Sequence, residues 1–242
     1  MNLIIDVGNS FVKLAVFSQD ELLLKEVVEQ RLFMDIINAI TKKYPAIENA
    51  IVSSVSKLDE GYKEILKQRF VLLEVNHKTK LPFKNCYKTP KTLGVDRVAL
   101  ISASVYNFPQ TNVLVIDAGT CVTFDFVTTK KEYLGGAISP GIRMRYLALN
   151  HFTASLPLLD TELPENLIGH STSSSIHSGV VNGLINEIDG VINTYKQKYL
   201  DLTVILTGGD AKFLSKQLKS SIFANSNFLL EGLNYILQYN SN

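Results

Sequence analysis

The sequence predicts an α/β protein built from two related halves, and three observations carry that expectation. Short β-branched runs alternate with helix-period stretches along the chain. The opening segment has a second copy: NLIIDVGNSFVKLAVF from Asn2 and NVLVIDAGTCVTFDFV from Asn112 share a strand, an Asp, a small residue, a Gly, a nearby hydroxyl and a second strand. With 242 residues, 46% of them hydrophobic, the chain can bury the core of one large domain or two modest ones.

In chain order, strands are expected at 2–6 (NLIID) and 12–17 (VKLAVF), which form a hairpin around an Asp-and-Gly turn. Further strands are expected at 50–54, 71–75, 112–117, 122–127 and 203–207; the 112–117 and 122–127 pair repeats the hairpin. A long amphipathic helix is expected over 176–195, where Ile176, Val180, Leu184, Ile188, Val191, Ile192 and Tyr195 recur at three- and four-residue spacing. Its stripe serves either the core or a subunit interface, and a bare stripe of that length would favour a dimer. The expected domains are 1–112, with the first hairpin, and 113–242, with the second hairpin and the long helix.

Twenty-four Lys and Arg against 23 Asp and Glu leave a net charge of +1. That excludes a global field of the kind that drives nucleic-acid or anionic-membrane binding. No apolar run approaches 18 residues, and Asp6 and Asn9 fall where a signal peptide needs its apolar stretch, so a cytoplasmic location is expected. Cys86 and Cys121 are too few for a disulfide framework or a zinc site. His170 and His177 stand seven residues apart around the expected helix start, which suits surface or capping roles better than a metal site.

The chemistry concentrates in three places. In DVGNSFVK, Asp6 ends a strand, Gly8 lets the backbone turn close to a ligand, and Ser10 and Lys13 supply a hydroxyl and an ammonium. Backbone N–H groups with these side chains suit phosphate oxygens, and a strand-end carboxylate suits hydrated Mg²⁺. A plain hairpin turn uses the same residue types; the recurrence as Asp117, Gly119 and Thr120 is what favours a phosphate-binding pair. Between the hairpins, residues 76–97 carry six Lys or Arg and a single acid, Asp96. That reads as a base among anion-binding cations or as a solvated loop whose GVDR opens the next helix. No GxxxxGK[ST] follows a strand, so this is not a Walker-type site.

In order and spacing the two hairpins resemble the acetate and sugar kinase, Hsp70 and actin superfamily, which implies two duplicated actin-like, ribonuclease H-like domains with a nucleotide cleft between them. Within it, YKTPKTLGVDR from Tyr87 is similar to the YxxPxxLGxDR signature of the type III pantothenate kinases. DVGNS, DAGT, GGAISPG from Gly135, ALNHFTASLP from Ala148, GHSTSSSIHSG from Gly169 and TGGD from Thr207 resemble that family's further blocks in order.

The resemblance implies ATP-dependent phosphorylation of pantothenate to 4′-phosphopantothenate, the first step of coenzyme A biosynthesis. It makes Asp96 the general base and gives Tyr87, Gly94, Val95, Asp96, Arg97 and Thr172 to pantothenate. Asp6, Val7, Gly8, Asn9, Ser10, Phe11, Val12, Lys13 and Thr120 would meet ATP, with Asp6 near Mg²⁺ and Asp117 on a monovalent cation, K⁺ or NH₄⁺. His151 matches a histidine that reaches pantothenate from the partner subunit of a homodimer. Ser10 stands where Thr is more usual, and the hydroxyl survives. The alternative is a non-catalytic nucleotide-binding accessory protein of transcription with the same fold; the intact Asp96 argues against it.

Overall fold

The computed structural model describes residues 1–8, 11–54 and 59–241. The chain divides into two compact units, Met1–Pro109 together with Asn227–Asn242, and Gln110–Ser226.

The first unit opens with β1 (Asn2–Val7), β2 (Val12–Ser18) and β3 (Glu21–Val28), an antiparallel meander. Helix α1 (Phe33–Lys43) leads to β4 (Asn49–Ser54), and α2 (Glu60–Arg69) to β5 (Val71–Glu74), both parallel additions beyond β1. The sheet order is β3-β2-β1-β4-β5. Next come a two-residue strand, β6 (Lys84–Asn85), a 3-10 turn at Pro90–Thr92 and α3 (Val95–Asn107).

Alternate residues take opposite faces of this sheet. Leu3, Ile5 and Val7 pack with Phe33, Ile37, Ile40 and Leu66 from α1 and α2. Asn2, Ile4 and Asp6 take the other face, where α8 (Phe228–Ser241) packs on β1, β4 and α3. Asn2 Nδ2 donates to Asn234 Oδ1 of α8 at 2.8 Å, and Asn234 Nδ2 donates to the Gln19 carbonyl at 2.8 Å. The buried amide is thereby satisfied. A Cβ at Gly232 would collide with the Ala99 carbonyl, so glycine lets α8 lie directly on α3.

The second unit repeats the plan. Strands β7 (Asn112–Ala118), β8 (Cys121–Val127) and β9 (Glu132–Pro140) form the meander, and β10 (Leu202–Thr207) and β11 (Phe223–Ala224) add in parallel, giving β11-β10-β7-β8-β9. Helices α4 (Ile142–His151), α5 (Thr172–His177), α6 (Gly183–Lys198) and the short α7 (Ala211–Leu214) complete it. The duplicated fold expected from the sequence is therefore present, each unit an antiparallel meander extended by parallel strands.

Two expectations need correction. The C-terminal helix does not belong with 113–242: its apolar face, with Leu230, Leu233, Ile236 and Leu237, is buried in the first unit. The helix over 176–195 is not a bare stripe either. Ile176, Val180, Leu184, Ile188 and Ile192 are buried with Leu114, Ile116 and Phe124 of their own unit, so the stripe is core and gives no argument for a dimer. A π-helical turn over Ser178–Asn182 also joins α5 to α6, where an unbroken α-helix was expected.

Candidate active site

In the first unit the site gathers at the C-terminal ends of the parallel strands β1 and β4, the usual ligand position in such sheets. Asp6 faces Lys13 across the hairpin and Ser53 across β4. It is 5% exposed, with Lys13 Nζ at 3.5 Å from Oδ2. Burial pushes the Asp6 carboxyl above the usual carboxylate range; Lys13 pulls it back, and the nearby Asp96 charge pushes it up again. The Gly8 amide donates to the Phe11 carbonyl at 3.0 Å, which closes the turn. Asn9 and Ser10 lie outside the described residues.

Asp96 stands in the first turn of α3, as its helix-opening role predicts, and accepts a hydrogen bond from the Arg97 amide at 2.8 Å. A Cβ at residue 94 would run into Asp96 Oδ1, so Gly94 clears the carboxylate. Arg97 is buried, and its guanidinium lies 5.6 Å from the centroid of the Tyr87 ring, a cation–π contact that ties the basic segment to the helix start. Val95 is half-buried beside them. Asp6, Lys13, Tyr87, Gly94, Asp96 and Arg97 thus all belong to this unit, and the charge of Asp96 is felt at Asp6.

The second unit builds the matching turn. Asp117 pairs with Thr123 across the hairpin and with Thr207 across β10. The Gly119 amide donates to the Cys121 carbonyl at 2.9 Å, and Thr120 is exposed. Gly141, the last residue of GGAISPG, donates to the Thr120 carbonyl at 3.1 Å, and any Cβ there would collide with the Gly119 carbonyl. From the other side Gly208, at φ +96°, passes so close to Ala118 and the Asp117 carboxylate that a side chain would overlap both. The Asp210 amide then donates to the Ala118 carbonyl at 2.9 Å, and burial raises the Asp210 carboxyl. Glycines on two further segments therefore hold the DAGT turn in place.

His151 is exposed at the end of α4, edge-on to Phe152, and Thr172 is exposed at the start of α5. Both belong to the second unit. The two helices are tied where Tyr146 Oη meets His177 Nδ1 at 2.8 Å, which gives His177 a packing role. Among the described residues no group of three or more His, Cys, Asp and Glu could hold a metal. Reading the sequence alone misses Ser53. Its hydroxyl is buried beside Asp6, where it helps hold the carboxyl down against burial, and its only signal is a polar residue ending the apolar run AIVSS.

Comparison with known proteins bears on the fold and the family. The family model for type III pantothenate kinase matches residues 2–194. The type III pantothenate kinase of Christiangramia forsetii is 52% identical over 240 residues, with 99% of each chain covered. That of Flavobacterium johnsoniae is 46% identical, covering 99% of this chain and 98% of its own. Among solved structures, a Campylobacter jejuni protein described as a conserved Baf family transcriptional activator matches with TM-score 0.65 at 22% identity, covering 99% of both chains. A glucokinase from an Antarctic psychrotroph matches with TM-score 0.58 at 12% identity, covering 98% of both. At those identities the structures speak to the fold, which they share with sugar kinases. The full-length relatives and the family model decide the rest: this chain belongs to the type III pantothenate kinase family.

Proposed function

We propose that this chain moves the γ-phosphoryl group of ATP to the primary hydroxyl of pantothenate, giving ADP and 4′-phosphopantothenate. The observation that carries the mechanism is the pair of carboxylates in the first unit: Asp6, buried and facing Lys13, and Asp96, at a helix start and near enough to raise the Asp6 carboxyl.

Asp96 accepts the hydroxyl proton while the oxygen bonds to the γ-phosphorus. The bond from that phosphorus to the bridging oxygen breaks, and its electron pair leaves with ADP. Phosphoryl transfer asks the protein chiefly for alignment and charge stabilisation. The proposed ATP contacts are Val7, Gly8, Asn9, Ser10, Phe11, Val12 and Lys13 on the first unit and Thr120 on the second, of which Lys13 brings positive charge and the Gly8 turn its backbone. Arg97, braced on Tyr87, positions the acceptor with Gly94 and Val95.

A kinase of this family uses ATP with a divalent metal. Asp6, with the buried Ser53 hydroxyl beside it, fits a hard cation that takes one or two carboxylates and fills its other positions with water and phosphate oxygen. When bound, the cation neutralises charge on the transferring phosphates. Asp117 is assigned to a monovalent cation, K⁺ or NH₄⁺. His151 and Thr172 are assigned to the pantothenate site of a homodimer, and exposed Phe152, Leu167 and Ile168 on the same unit give such an interface apolar surface. No helix among the described residues is long and apolar enough to cross a membrane. A cytoplasmic enzyme with small-molecule substrates, and no nucleic-acid or membrane partner, is the reading that the balanced charge supports. The non-catalytic reading is disfavoured because a binding module needs no carboxylate at position 96.

ADP release measured with pantothenate, ATP, Mg²⁺ and K⁺, each omitted in turn, tests this. Turnover that requires pantothenate, ATP and Mg²⁺ is expected; ATP hydrolysis indifferent to pantothenate would contradict it.

A further inference from the structure

Arg145 is the fourth residue of α4, where a positive charge works against the helix dipole, so helix stability does not explain it. What it holds does. Its Nε donates to the Pro140 carbonyl at 2.9 Å and its Nη2 to Ser139 Oγ at 3.1 Å, both on the last residues of β9. Nη2 also meets the carboxylate of Glu187 on α6, and the two side chains are only 22% and 30% exposed. The Arg145 amide donates to the Gly141 carbonyl at 3.1 Å, so one residue grips three consecutive positions, 139 to 141. Those positions border the DAGT turn: Pro140 pairs with Cys121, and the Gly141 amide donates to the Thr120 carbonyl. Two residues earlier, Arg143 reaches the Leu159 carbonyl and a fully exposed Asp160, a surface pair of little worth. Arg145 and all its partners belong to the second unit.

We propose that Arg145 is a positioning residue for ATP: held by Glu187, its guanidinium fixes the end of β9 and, through Gly141, the carbonyl of Thr120, so that the second phosphate turn stands in its binding shape before the nucleotide arrives. This rests on the assignment of Thr120 to ATP and adds to it the side chains that hold the turn. Glu187 lies on α6 between Leu184 and Ile188, which are buried in the unit's core, so the guanidinium is tied to the part of the unit least free to move. The planar fork of arginine can serve Ser139, Pro140 and Glu187 together, which a single ammonium cannot. A turn held in shape saves the nucleotide the cost of ordering it. If the bridge is broken, the binding-competent shape becomes a fraction of the population and the apparent ATP dissociation constant rises by the inverse of that fraction. Once ATP is bound the shape is restored, so turnover at saturating ATP should change little.

The test measures ATP binding to the full-length protein by calorimetry, which needs no acceptor, beside the melting temperature and the kcat and ATP KM of turnover with pantothenate. Arg145→Lys keeps the charge and the pair with Glu187 but loses the fork. It should weaken ATP binding and raise the ATP KM about tenfold, as expected for loss of one charged hydrogen bond, with kcat within about twofold of wild type. Glu187→Ala should do the same, and Glu187→Gln, whose amide oxygen still accepts from Arg145, should restore ATP affinity to within about twofold of wild type. Ser139→Ala deletes one acceptor and leaves the ion pair; it keeps the test decisive if Arg145→Lys does not fold, and should weaken ATP in the same sense by less. Variants that melt lower yet bind ATP as the wild type does make the bridge purely structural and overturn the proposal. A kcat that falls with ATP affinity unchanged overturns it as well. Thr120→Ala tests the premise separately. If that variant binds ATP normally, the Thr120 assignment falls and takes the proposal with it; if it weakens ATP and Arg145→Lys does not, the proposal alone falls.

Discussion

Asp6 shows at the scale of one residue how the site is set against the fold. A carboxylate almost removed from water is costly when charged, and neither Lys13 at 3.5 Å nor the strand-end position removes the cost, since the net shift of its carboxyl is upward. A carboxyl raised in the folded state stabilises the protein fully below its unfolded value, 3.8, and that contribution is lost as pH rises through the folded value. Asp6→Asn mimics the protonated form. It should therefore melt a few degrees above the wild type near neutral pH, with the difference shrinking as pH falls through the raised folded value and gone below about 3.8, while catalysis is lost. Melting curves between pH 3 and 8 check this; a variant less stable than the wild type at neutral pH would mean that the Lys13 pair outweighs burial. Asp6 was legible from the strand-end motif. Ser53 was not, because one serine after an apolar run looks like any strand end until the parallel partner of Asp6 is known.

Helices and strands show where pattern suffices and where packing decides. The runs expected at 2–6, 12–17 and 112–117 became β1, β2 and β7 within a residue or two, because their buried aliphatics leave little alternative. Strand β3 (ELLLKEVV) escaped notice because an edge strand keeps charged residues and buries only one side chain fully. Strand β9 (EYLGGAISP) was hidden by its glycines. Gly136 is required there because a Cβ would overlap the Phe124 carbonyl on the neighbouring strand, a demand set by packing that no period reveals. The stripe over 176–195 was read correctly as amphipathic, but its partner is the unit's own sheet, and period alone does not name a partner. The contact of α8 with α3 offers a test in which propensity and packing disagree in sign. In an exposed helix Gly→Ala stabilises by about 1 kcal/mol. Gly232→Ala instead drives a methyl into the Ala99 carbonyl and should destabilise by roughly 1–3 kcal/mol. Because α3 carries Asp96 at its start, turnover should fall as well. Chemical denaturation checks the sign; a more stable Gly232→Ala would show that the helices part freely.

For the whole molecule, one chain supplies two copies of a strand–turn–strand device and then specialises them, the first with Lys13 and the Asp96 helix, the second with Thr120, His151 and Thr172. If His151 completes a pantothenate site of the partner subunit, an Asp96→Asn chain and a His151→Ala chain, each nearly inactive alone, should recover part of the activity when mixed and reassembled, because one hybrid site carries both intact residues. No recovery from a verified heterodimer, or a monomer by light scattering, would remove the shared site. The central claim is that this member of the type III pantothenate kinase family uses Asp96 as the base for pantothenate phosphorylation, and the most direct test is the kcat of Asp96→Asn measured alongside its ATP affinity. The account predicts a loss of about a hundredfold or more in pantothenate-dependent kcat with ATP binding and melting temperature close to wild type; near-normal turnover by that variant would contradict it.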